Sequence, residues 1–192
     1  MSRRWLPLCV VAALLVGARA ASPTTIIPPT FDEIVSRAET IFVGEVVDRR
    51  SEWETTRSGR SIITLVTFSV SRVLKGSPSL RTQLTFLGGS IDDLTMQVAE
   101  MPEFQIGDRD VLFVSGRQHA ASPIVGFAYG RFRIVRDAIS GSDVVRTHDG
   151  RPLPGTEDLT SRLSLSLATI RPMSLNAFES SVRQRVAVLP RR

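Results

Sequence analysis

The chain has 192 residues, 42% of them hydrophobic, with 24 basic and 19 acidic side chains, two histidines and a single cysteine. One domain of this size buries roughly 70% of its unfolded surface, so neither a metal nor a disulfide is needed to hold a core. The formal charge of +5 shrinks once the amino end is considered, and the electrostatic case for nucleic-acid binding shrinks with it.

That end reads "MSRRWLPLCVVAALLVGARA": Arg3 and Arg4 precede a short apolar run, Leu6 to Val16, and Ala18-Arg19-Ala20 has the form of a small-residue cleavage site. This is the layout of a signal peptide removed after Ala20, and the apolar run is shorter than the roughly 20 residues that span a bilayer. Cys9 follows a bulky Leu8 and precedes the apolar core, so it does not fit a lipid-anchored cysteine. Export to a periplasm or the medium is the expected localisation, without an integral membrane anchor. Taking Arg3, Arg4 and Arg19 from 24 basic residues leaves 21 against 19 acidic ones. Cys9 leaves as well, which excludes cysteine chemistry and disulfides from the exported product.

Residues 21–30 contain three prolines and read as an extended lead-in. "FDEIVSRA" (31–38) sets Phe31, Ile34, Val35 and Ala38 on one helical face, with Thr30 as N-cap and Glu33 as its box partner. Runs rich in β-branched and aromatic residues follow at 40–48, 62–74, 82–87, 109–115, 129–136 and 143–147. In the second of these, Val66, Phe68, Val70 and Arg72 alternate with Leu65, Thr67, Ser69 and Ser71, one face apolar and the other mostly wet. In the fourth, Val111, Leu112, Phe113 and Val114 are apolar at every position, as in a strand covered on both faces. Gly44 and Gly130 lie inside strand-like runs, where a missing side chain marks a bulge or a bend. Residues 148–173 read as loop and extended chain, with 163–172 ambiguous between strand and coil. Over 174–189, Leu175, Phe178, Val182 and Val186 recur at helical intervals behind a Ser174 cap. The predicted fold is mainly β: a small closed or partly open OB-like barrel of five to six strands over residues 31–147, with a short N-terminal helix and a C-terminal helix.

Chemistry-bearing patterns are few. His119 and His148 lack ligand-spaced companions, and the acidic residues of the long 88–107 connection, Asp92, Asp93, Glu100 and Glu103, lack the order of a calcium loop. "FLGGS" (86–90) is followed by no G-K-[ST]. No cofactor or metal is expected. Asp110, just after the Gly107 turn, reads as a carboxylate capping turn amides in preference to a catalytic group. The excursion "VDRRSEWETTRSGRSI" (47–62) places Trp53 among arginines, the composition of a protein interface. Trp53, Arg50 and Arg57, together with Asp92 and Asp93, are the candidate binding residues. The competing reading folds Trp53 back over the end of the barrel.

The order of "AETIFVGEVV", "VSRVLKG", "FLGG", "MPEFQIGDRDVLFV" and "VGFAYGRFRIV" resembles a recurrent, largely uncharacterised group of exported bacterial proteins. That group in turn resembles the OB-fold barrel of tissue inhibitors of metalloproteinases and netrin-type modules. The resemblance implies the barrel fold. In those inhibitors an amino-terminal cysteine binds the protease zinc, whereas the expected new terminus here is Ala21-Ser22-Pro23; the inhibitory residue has no counterpart, and fold alone does not supply function. The sequence therefore favours an exported non-catalytic protein-binding module, with a secreted protease as one class of partner. The alternatives are a hydrolase with an unrecognised active site and an envelope structural component.

Overall fold

The computed structural model describes residues 28–56, 59–116, 121–160 and 171–188. The expected signal peptide, the lead-in before Pro28, Arg57, His119 and most of the 163–172 segment lie outside these residues.

Helix α1 (Phe31–Arg37) opens the domain on the cap anticipated from sequence. The Thr30 hydroxyl accepts from the Glu33 backbone N–H, and the Glu33 carboxylate accepts from Thr30 N–H at 2.9 Å, which satisfies two otherwise orphaned donors of the first turn. Among the described residues eight strands follow: β1 (Thr40–Thr56), β2 (Gly59–Lys75), β3 (Arg81–Leu87), β4 (Gly89–Ile91), β5 (Leu94–Met96), β6 (Arg109–Val114), β7 (Arg131–Arg136) and β8 (Asp143–Thr147). A short 3₁₀ turn (Thr156–Thr160) and helix α2 (Leu175–Val188) complete the order. The Ser174 hydroxyl accepts from Ala177 N–H at 3.2 Å, so the predicted cap of α2 is present.

Six strands form one antiparallel sheet in the order β3-β2-β1-β6-β7-β8, and β4 and β5 form a separate hairpin. The six-stranded row is open: β3 and β8 stand at its two ends. β8 is shielded on its outer side, where Val145 N–H donates to Met173 C=O and Thr147 N–H to Arg151 C=O, each at 3.0 Å. No helix among the described residues is long and apolar enough to cross a membrane.

The sheet buries both faces, each beneath its own set of phenylalanines. On one face α1 and α2 pack against β6, β7 and β8, with Phe31, Phe113, Phe132 and Phe178 in edge-on or tilted contact at centroid separations of 4.8–6.3 Å. On the other, β1, β2 and β3 enclose Phe42, Phe68 and Phe86, and Phe104 from the 97–108 connection seats on Phe68 and Phe86. β6 serves both cores, since Val111 and Phe113 point into the first and Leu112 into the second. An apolar residue at every position is what that placement requires. The C-terminal helix is docked: Leu175, Phe178 and Val182 are buried, and the Arg72 guanidinium on β2 lies 2.8 Å from the Glu179 carboxylate.

Four sequence expectations need correction. Residues 47–56 and 59–62 of the excursion are not loop but the continuation of β1 and β2, because the charged residues Asp48, Arg49, Arg50, Glu52 and Glu54 of β1 each lie opposite a residue of β2. The 88–107 connection carries the β4–β5 hairpin. Tyr129 and Gly130 precede β7 and sit in a turn, where a Cβ on Gly130 would meet Val125 and Phe113 carbonyl oxygens at 3.0 and 3.1 Å. Asp110 does not cap turn amides; its carboxylate accepts from Arg131 inside the sheet. Gly44, in contrast, does mark a register shift in the β1–β2 ladder.

Candidate functional site

Two regions hold the residues singled out by sequence. The first is an arm made by the outer parts of β1 and β2. β1 pairs with β6 only from Thr40 to Glu45, and β2 pairs with β3 only from Ile63 to Ser69. The last four β1–β2 pairs, Trp53↔Ile62 to Thr56↔Gly59, therefore belong to a two-stranded ribbon with no further strand on either side among the described residues.

Trp53 stands on this arm 40% exposed, with the Arg60 guanidinium 4.5 Å from the ring centroid. It is not folded back into a core cluster. The contact is a cation–π stack that holds the ring while leaving much of it accessible. Arg50 is exposed and bridges Asp48 at 3.0 Å and Glu52 at 3.8 Å along the same strand.

Asp92 and Asp93 form the exposed turn of the β4–β5 hairpin, with Asp92 at φ 51°. That hairpin is seated on the root of the arm. Thr64 donates its hydroxyl to Gly88 C=O at 2.7 Å, and the Ser51 and Thr64 hydroxyls lie 3.1 Å apart beneath Gly89. A Cβ on Gly89 would fall 2.3 Å from the Thr64 hydroxyl and 2.5 Å from that of Ser51, and φ 140° disfavours any side chain there. The structure thus brings the segment bearing Asp92 and Asp93 onto the strands bearing Arg50 and Trp53. Arg57 lies outside the described residues.

The second region is a polar cleft of about 500 Å³ lined by Glu100, Glu103, Asp108, Arg131, Arg133 and His148 among others. Its floor is organised by Arg131. This buried guanidinium donates through Nε to Asp110 Oδ1 at 3.0 Å and through Nη2 to Asp108 Oδ2 at 2.8 Å. A third bond goes to the Glu103 carbonyl, and the guanidinium carbon lies 4.1 Å from the Phe104 ring centroid. One side chain therefore ties β6, β7 and the 97–108 connection together. The turn-capping carboxylate is Asp108, which accepts from Gln105 N–H at 3.0 Å.

Asp110 is fully buried. Burial pushes its carboxyl up to about 6, against the opposing influence of Arg131. Its second oxygen has no hydrogen-bond partner among the described residues. His148 is half-buried with its ring edge-on to Tyr129 at 4.9 Å, and burial lowers its pKa below the ordinary imidazole value. The cleft residues include carboxylates, arginines and an imidazole but no serine, threonine or cysteine. His119 lies outside the described residues, and no group of three or more potential metal ligands occurs among the described ones.

The Arg131 hub was not anticipated from sequence. Its signal was available: Asp108 stands just before β6 and Asp110 on it, two apart, Arg131 and Arg133 are two apart on β7, and Asp110 pairs with Arg133 in the ladder. Charges two apart on two neighbouring strands share a face, which brings opposite signs together across the sheet. The chain matches no protein-family model, no curated protein and no solved structure.

Proposed function

We propose that this chain is an exported, non-catalytic protein-binding module that engages its partner through the β1–β2 arm and the β4–β5 hairpin seated on it. The observation that carries the reading is Trp53, a large ring left 40% exposed and pre-oriented by Arg60 on a ribbon that projects from the sheet. Ordered aromatic side chains beside arginines supply most of the binding energy of protein interfaces, because little conformational entropy remains to be lost. Arg50 and the Asp92–Asp93 turn add charges of both signs around it. A six-stranded antiparallel sheet with β1 shared between the β2–β3 and β6–β7–β8 halves supports the OB-like barrel interpretation, a fold that binds through loops and faces at one end. A secreted protease is one partner class to test, carried over from the family resemblance and not from the fold alone.

The test is capture of partners from secreted and envelope fractions on immobilised wild-type protein and on Trp53→Ala, quantified by mass spectrometry alongside the melting temperature of each bait. A partner enriched by wild type and lost in an equally stable mutant supports the reading. Equal recovery on both baits, or collapse of the mutant fold, removes Trp53 from the interface.

A further inference from the structure

We propose that the outer edge of β1 pairs antiparallel with the same edge of a second copy of this chain, about a two-fold axis at Ser51. Val46 turns its N–H and C=O away from β2, bonding Asp108 C=O and Gly107 N–H at 2.9 Å each. In the β1–β2 register Val46 lies opposite Phe68 and Ser51 opposite Thr64. Phe68 and Thr64 are an even number of residues apart, so in an antiparallel ladder Ser51 turns its polar groups the same way as Val46. Arg49 and Trp53 share that orientation. Beyond Glu45, no strand among the described residues pairs with this side of β1, and such an edge offers open donors and acceptors to another strand.

The order of side chains selects the occupant. With Ser51 on the axis, Arg50 of each copy faces Glu52 of the other, and Arg49 of each copy faces the Trp53 ring of the other. Two ion pairs and two cation–π contacts arise from one short segment. The backbone alternation makes Arg50 and Glu52 a non-hydrogen-bonded pair, the kind in which opposed Cα atoms approach to about 4.5 Å and side chains meet most closely. Moving the axis by one residue sets Arg50 against Arg50 or Glu52 against Glu52, so like charges reject the neighbouring registers. Asp48 opposite Glu54 is the unfavourable pair of this register, and Arg50, 3.0 Å from Asp48, lies beside it. The segment is complementary to itself in one register, which is the property an isologous contact requires. This inference uses the arm described above and requires no foreign partner.

The experiment is analytical ultracentrifugation of the purified protein in a Cys9→Ser background. Wild type is expected to sediment as a dimer, Arg50→Glu and Glu52→Arg each as a monomer with unchanged circular dichroism, and the Arg50→Glu/Glu52→Arg double variant as a dimer again. Arg50→Cys/Glu52→Cys treated with glutathione disulfide as oxidant is expected to give a covalent dimer, since directly opposed non-hydrogen-bonded residues have Cα atoms about 4.5 Å apart, within disulfide reach. If a single reversal fails to fold, the disulfide decides. A wild type that stays monomeric at millimolar concentration, or a dimer indifferent to both charge reversals, overturns the proposal. Partner capture on the wild-type protein, read beside its sedimentation, separates the two readings. A captured partner without any wild-type dimer sinks the self-pairing and leaves the binding module, whereas a dimer that captures nothing does the reverse.

Discussion

Arg131 and Asp110 meet inside the sheet, Nε 3.0 Å from Oδ1, with both side chains almost wholly removed from solvent. The carboxylate nevertheless has a pKa raised to about 6, because loss of hydration outweighs the neighbouring positive charge.

The sign of the resulting pH dependence follows from linkage. The folded chain holds the Asp110 proton more tightly than the unfolded chain, where the ordinary value is 3.8. Its contribution to stability is therefore complete below that value and is lost as pH rises through about 6. Between about pH 4 and about pH 7 this one group lowers stability by about 1–3 kcal/mol. Urea titrations across that window are expected to show the slope in wild type and a flatter profile in Asp110→Asn. At lower pH the trend reverses, since Asp143, bonded to Arg109, and Glu33, bonded to Thr30 N–H, both titrate below their ordinary values and lose stabilising contacts on protonation.

Removing the guanidinium leaves two carboxylates and a carbonyl without their shared donor. Arg131→Met is expected to cost about 3–5 kcal/mol at neutral pH, and Phe104→Ala a similar amount through its cavity. The Arg131 guanidinium stacks on the Phe104 ring, so the two losses do not add. A double-mutant cycle by chemical denaturation is expected to return a coupling of about 0.5–3 kcal/mol. Full additivity would mean that Arg131 does not hold the 97–108 connection in place.

Gly89 joins the hairpin to the arm. Gly89→Ala drives a methyl group into the Ser51 and Thr64 hydroxyls and is expected to destabilise the fold by about 1–3 kcal/mol. Ser51→Ala in the same chain removes one of the two obstructing oxygens and should restore part of the loss. Equal midpoints for the single and double variants would show that backbone strain at this φ, and not the collision, sets the cost.

Trp53 is expected to matter little for stability. Its stack on Arg60 is exposed, and such contacts contribute about 0.5–1 kcal/mol. Arg60→Ala should lower the unfolding free energy by no more than that while red-shifting the tryptophan fluorescence. The sequence has two tryptophans, Trp5 and Trp53, so a chain beginning at Ala21 reports on Trp53 without interference. A loss several times larger would place the ring in the packed structure.

Much of the architecture was legible because it depends on local periodicity. Phe31, Ile34 and Val35 announce α1, Leu175, Phe178 and Val182 announce α2, and the unbroken Val111–Val114 run announces a strand buried on both faces. The arm was misread because charged residues along 47–56 look like loop when considered without their partners. They are strand because β2 lies opposite them.

Local chemistry thus determined the helix caps, the placement of six strands and the identity of most core residues, since each depends on neighbours a few positions away. The tertiary structure alone decided which carboxylate caps the turn and which is buried. Asp108 and Asp110 differ by two positions in sequence, but only Asp110 is fully enclosed by the sheet and Phe104-capped core. Burial is a property of what arrives from elsewhere in the chain, and Arg131 comes from 21 residues away to meet Asp110.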